Sequence, residues 1–115
     1  MGSASVRMTV RWRVPQGQVR SITSALETVM MRTRAEPGCT ECSVWTRMGA
    51  LVEIDYVENW STEVDLQRQI RSDRFANLAE LMERATERPA IEFVLPGKTR
   101  GLDYAEDVRR SDSAP

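Results

Sequence analysis

Leu51-Val52-Glu53-Ile54-Asp55-Tyr56-Val57-Glu58-Asn59-Trp60 divides into two alternating sets. Val52, Ile54, Tyr56, Glu58 and Trp60 share one face, while Leu51, Glu53, Asp55, Val57 and Asn59 share the other. A period of two over this length predicts a half-buried strand. Glu58 is the exception on the apolar face, and a carboxylate there needs a partner such as Arg68 or Arg74. Upstream, Met48-Gly49-Ala50 is short enough to close a hairpin with a strand over residues 39–48. Further upstream, Glu36-Pro37-Gly38-Cys39 marks the end of a helix, because the residue before proline avoids the helical region. Downstream, Ser61 or Thr62 can cap a helix, with Glu63 and Asp65 favourable in its first turn.

The same reading extends to both ends. Val6, Met8, Val10, Trp12 and Val14 alternate with Arg7, Thr9, Arg11 and Arg13, which predicts a first strand. From residue 18 to 35 the period becomes helical, with Val19, Ile22, Leu26, Val29 and Met30 on one face. Residues 62–88 hold no Gly or Pro, yet the apolar phase slips between Ile70 and Phe75. This predicts a short helix, a break near Ser72-Asp73, and a second helix carrying Phe75, Leu78, Ala79, Met82 and Ala85. Residues 90–95 read as a fourth strand. The order β-α-β-β-α-β predicts an α+β, ferredoxin-like domain over residues 6–95. Its antiparallel sheet sets the first strand beside the third and puts both helices on one face. Residues 1–5 read as a disordered leader, and residues 96–115 as a polar arm or tail that only Leu102, Tyr104 and Val108 can anchor.

Composition narrows the function classes. A chain of 115 residues is one domain with a single core. No apolar run approaches the roughly 20 residues that span a bilayer, and the N-terminus lacks a secretory pattern, so no membrane partner and a cytoplasmic location are expected. Net charge is −1, and of the 16 basic residues only Lys98 is a lysine. No basic stripe with interleaved aromatics is present, which argues against a nucleic-acid partner. Cys39 and Cys42 form a C-x-x-C, but no histidine or further cysteine exists to complete a zinc site. On a regular extended segment the two would face opposite ways, so two structural thiols and no metal site are expected.

The second sheet face carries Arg7, Arg11 and Arg13 against Glu53 and Asp55, with Trp45, Leu51 and Val57 among them. Cross-strand ion pairs of this kind contribute only about 0.2–1 kcal/mol each. A Trp and two aliphatics between matched charges read as an interface, so a homodimer through this face is expected.

Glu36-Pro37-Gly38-Cys39, Glu58-Asn59-Trp60-Ser61 and Ser72-Asp73-Arg74-Phe75, in this order and spacing, resemble the antibiotic biosynthesis monooxygenase family. The resemblance covers roughly residues 6–95. It implies a dimeric α+β barrel with a small cavity between each sheet and its helices. It also implies metal-free, flavin-free oxygenation of phenolic anthrones or quinols as one activity of the family. By that resemblance Trp60 is the cavity Trp, Glu58 the family's Glu, Gln69 stands where relatives place a histidine, and Ala79 where the haem-degrading branch has an axial histidine. Haem ligation is therefore not expected, nor is any cofactor. Cofactor-free oxygenation needs a bound aromatic ring, help with deprotonation and a stabilised anion. Glu58 and Trp60 are the candidate catalytic residues on this reading. Tyr56, Trp12, Phe93, Gln69, Arg74 and Phe75 are the candidate substrate-binding residues. Two functions follow: a cofactor-independent monooxygenase acting on a small aromatic or quinol, or a non-catalytic homodimer that binds a small hydrophobic ligand or a protein partner.

Overall fold

A computed structural model describes residues 5–112. Four of the five residues expected as a leader lie outside the described residues. Strand β1 (Val6–Val14) leads through a 3-10 turn at Gln16–Gln18 into helix α1 (Val19–Arg34). Strands β2 (Cys39–Arg47) and β3 (Val52–Trp60) form the hairpin. Helices α2 (Glu63–Ile70) and α3 (Asp73–Glu83) follow, then β4 (Ala90–Leu95), β5 (Lys98–Arg100) and α4 (Leu102–Asp112). The sheet is antiparallel in the order β2-β3-β1-β4-β5, with β1 beside β3 as the ferredoxin-like pattern requires.

The alternation read from the sequence is what builds the core. Val6, Met8, Val10, Trp12 and Val14 of β1 are buried, as are Val52, Ile54, Tyr56, Glu58 and Trp60 of β3. Each large apolar side chain so removed from water contributes about 1.5–3 kcal/mol. Ile22, Leu26 and Val29 of α1 cover the same face. The break between α2 and α3 has a simple cause. The Ser72 hydroxyl accepts from Phe75 N at 3.3 Å and donates to Gln69 O at 2.6 Å, ending one helix and starting the next. The restart resets the phase, so that Leu66 and Ile70 and then Phe75 and Leu78 all face the sheet. Among the described residues no helix is long and apolar enough to cross a membrane.

Gly38 makes the turn from α1 to β2 with φ +89°, and a Cβ there would collide with the Asp65 carboxylate. Its carbonyl accepts from Ser61 N at 2.8 Å, which ties the two ends of the hairpin together.

Two expectations need correction. The register of β2 shifts between Cys39 and Glu41, so Cys39 lies opposite Trp60 and Cys42 opposite Glu58. Both cysteines therefore sit on the helix side, because a bulge at Thr40 cancels the parity that regular spacing implies. The polar arm is also structured as far as residue 112. Residues 98–100 extend the sheet, and α4 buries Tyr104, Ala105 and Val108 while Leu102 stays largely exposed.

Candidate functional site

One cross-strand row organises the helix-facing side of the sheet: Cys42, Glu58, Met8, Phe93 and Arg100, read from β2 to β5. Glu58 sits two residues from the C-terminal end of β3 and is wholly buried. Its own strand brings two donors, since side chains two residues apart point the same way. Tyr56 Oη donates to Glu58 Oε2 at 2.6 Å, and Trp60 Nε1 donates to Glu58 Oε1 at 3.0 Å. Helix α2 supplies the third, Gln69 Nε2 to Oε2 at 3.1 Å.

The amide of Gln69 is oriented by its neighbours. Arg74 Nε, which can only donate, binds Gln69 Oε1 at 2.9 Å. The amide nitrogen is thereby turned toward Glu58 and also donates to Thr33 Oγ1 at 3.0 Å. Arg74 continues outward to Glu36, with Nη2 3.3 Å from Oε1. Glu58 thus meets a cation through an amide and not by direct contact. Arg68, the other expected partner, pairs instead with Asp65 at 3.0 Å.

Burial pushes the Glu58 carboxyl above its usual range, while the bonds from Tyr56, Trp60 and Gln69 and the charge of Arg74 oppose the rise. Burial, then the nearby Glu58 carboxylate, drives the Tyr56 hydroxyl strongly upward. Cys42, whose Sγ lies 3.3 Å from Tyr56 Oη, is pushed up to about 12, chiefly by burial. Trp60 and Gln69 can only donate toward Glu58, but the hydroxyl of Tyr56 and the thiol of Cys42 can reverse. An ionised Glu58 accepts all three bonds. A neutral Glu58 donates to Tyr56 Oη, which then donates to Cys42. The chain can hold or pass a proton without rearranging any heavy atom.

The remaining expected residues are placed differently. Trp12 lies opposite Ile54, four residues along β1 from Met8 and so about 13 Å from the Glu58 row. It is buried, and its Nε1 has no partner among the described residues. Phe93 is on the row but packs its ring against Tyr104, with centroids 5.1 Å apart. Phe75 is buried and lines a groove of about 520 Å³ together with Ala79, Met82, Ile91, Leu102 and Glu106. Asn59 lies on the opposite sheet face, accepting from Arg7 Nε and donating to Glu41. Thr33 and Cys42 complete the network without having been expected there. Thr33 left a signal: a polar residue spaced four from Val29 on the buried stripe of α1. Among the described residues no three His, Cys, Asp or Glu side chains gather as a metal site would require.

No protein-family model and no curated protein matches the chain. Solved structures do. A conserved protein from Methanosarcina mazei Go1 is 21% identical over 81% of this chain and 93% of its own, with a TM-score of 0.69. An antibiotic biosynthesis monooxygenase matches at 10% identity, covering 77% and 95%, with a TM-score of 0.65. The fold is shared with these proteins. A protein of unknown function from Bacteroides thetaiotaomicron, described as a possible oxidoreductase, matches at 14% identity over 87% and 99%, with a TM-score of 0.66. Identities this low carry the ferredoxin-like architecture and not an activity.

Proposed function

We propose that this chain is a cofactor-independent, monooxygenase-like protein that acts as a homodimer on a small aromatic or quinol substrate. The observation that carries the reading is Glu58: a wholly buried carboxyl with a raised pKa, ringed by directed donors. Perturbed acids of this kind concentrate at working sites. A substrate phenol or anthrone gives its proton to Glu58, and Tyr56 then turns its hydroxyl toward Cys42 to accept from the neutral acid. The resulting carbanion or phenolate reduces dioxygen directly. With an anthrone, one oxygen atom becomes the new carbonyl and the other leaves as water, so the CH2 group that becomes C=O supplies all four electrons and no outside reductant is needed.

A second reading is favoured by a specific observation. Trp60 and Glu58 are 1% and 0% exposed, so no open slot stands beside them, and the roomier volume lies along Phe75. On that reading the chain is a non-catalytic dimer, the groove takes a small hydrophobic ligand, and Glu58 is structural. Oxygen uptake with an anthrone or hydroquinone, without added metal, flavin or haem, separates the two. Uptake that falls in Glu58→Gln per folded molecule supports the enzyme. Saturable ligand binding with no uptake supports the binder.

The homodimer has its own support. Trp45 is 62% exposed on the open sheet face, opposite Asp55 and one same-face position along β3 from Val57. Around it Arg11 makes a two-point bond to Asp55 at 2.8 and 3.1 Å, and Arg47 pairs with Glu53 at 3.4 Å. An exposed Trp framed by already neutralised charges suits a desolvated interface centre. Sedimentation at micromolar concentration should give about twice 13.1 kDa. Trp45→Ala should weaken the dimer by at least roughly 30-fold, the scale of an interface hot spot. A monomeric wild-type chain, or a dimer indifferent to Trp45, overturns the arrangement.

A further inference from the structure

Helix α4 delivers a phenol into a site built by three other elements. The Tyr104 hydroxyl donates to Glu63 Oε2 at 2.8 Å and accepts from Gln67 Nε2 at 3.3 Å, both on α2. Its ring lies against Phe93 of β4 at a 54° tilt. The Arg100 guanidinium of β5 stands 5.6 Å from the ring centroid. One acceptor, one donor, an aromatic wall and a cation over the π-face together satisfy every recognisable feature of a phenol. Burial and Glu63 push this hydroxyl up to about 12, so it stays protonated and continues to donate.

The helix carrying this group is lightly held. It spans 11 residues, and among those whose burial is described only Tyr104, Ala105 and Val108 enter the core. A helix that short is marginal on its own, so leaving its seat and melting are one event. Its other ties include Arg109 Nη1 to Ile70 O at 2.6 Å and the bonds from Arg100 to Asp103 and Asp107 at 2.7 and 3.0 Å. The exposed ion pairs are weakened by salt. The groove of about 520 Å³ runs along this helix, lined by Leu102 and Glu106 and by Ile91. Ile91 precedes Phe93 by two residues on the same strand, so the groove leads toward the seat of Tyr104.

We infer that the pocket formed by Glu63, Gln67, Phe93 and Arg100 is a binding site for small phenols, and that Tyr104 is its built-in competitor. An arriving phenol takes the bonds of Tyr104 and releases α4. The inference is independent of Glu58, which meets a different part of α2 through Gln69.

The test uses the full chain and p-cresol, which is the tyrosine side chain alone, with 4-methylanisole and toluene as controls. p-Cresol should bind saturably and speed amide exchange across residues 102–112, leaving β1 and β3 unchanged. Neither control can donate to Glu63, so each should bind at least about tenfold more weakly, the scale of one hydrogen bond to a charged acceptor. Raising salt should tighten p-cresol by loosening the Arg100 clamp. Tyr104→Ala, by removing the competitor, should bind p-cresol more tightly than the wild type. If p-cresol saturates the wild-type chain with no change in α4 exchange, or the controls bind as well as p-cresol, the inference fails. Failure of Tyr104→Ala to fold leaves the wild-type titration to decide. The readouts here are amide exchange in α4 and the contrast between p-cresol and its two controls, neither of which involves oxygen uptake, so failure of this site and failure of the oxygenase reading register separately.

Discussion

Trp60→Ala should lower the unfolding free energy by about 3–5 kcal/mol, the usual cost of deleting a large buried aromatic. For a domain of this size that corresponds to a fall in melting temperature of roughly 12–20 °C. Two losses combine. The indole body is 1% exposed at the end of β3, opposite Val6 and Cys39, and its removal leaves a cavity that the sheet cannot close. The indole N–H is also one of three donors on Glu58. Trp60→Phe separates them. It keeps most of the apolar body and strips the donor, for a cost of about 1–3 kcal/mol from the unpaired bond plus a smaller cavity term than in Trp60→Ala. It also moves the Glu58 carboxyl further up, since a bond that favoured the ionised form is gone. Thermal melts followed by circular dichroism read both effects. A Trp60→Phe chain as stable as the wild type would mean that the bond to Glu58 Oε1 contributes nothing.

The elements with strict period two or a clean helical stripe were legible in the sequence. β1 and β3 needed only their alternation, and the slip between Ile70 and Phe75 announced the Ser72 break. Helix α4 was harder, because its charged residues outnumber its three buried ones. Even so, Tyr104, Ala105 and Val108 share the i, i+1, i+4 spacing of one helical face. The bulge at Thr40 left no mark, since a shifted register depends on the partner strand and not on local composition. The site was legible in part for the same reason. Strand parity joins Tyr56, Glu58 and Trp60 without any knowledge of the fold. The order Arg74, Gln69, Glu58 depends on how two helices seat on the sheet, and sequence alone suggested a direct arginine contact. Trp12 shows the limit of parity: it shares the face of Glu58 but lies too far along β1 to meet it.

Glu58→Gln carries the sharpest consequence for mechanism. An amide cannot replace either state of the acid. With its oxygen toward Trp60, its nitrogen opposes the Gln69 amide. Turned the other way, its nitrogen opposes the indole N–H. One buried donor is left unpaired in each case, at a cost of about 1–3 kcal/mol. The pH dependence follows from the raised pKa. The native carboxyl holds its proton more tightly than the unfolded one, whose ordinary value is 4.5. Stability from the neutral acid is therefore fully present below 4.5 and is lost as pH rises through the native pKa. Glu58→Gln lacks that dependence, so the gap in melting temperature between wild type and variant should be widest in acid and narrow as pH rises. A gap that widens with pH would mean that Glu58 is held ionised and acts only as a paired anion. Turnover gives the other half. A base works when ionised, so oxygen uptake by the wild type should climb over the same pH range in which the stability gap shrinks. Two curves moving oppositely through one pKa would tie the buried carboxyl to the chemistry, because a purely structural acid moves only the first.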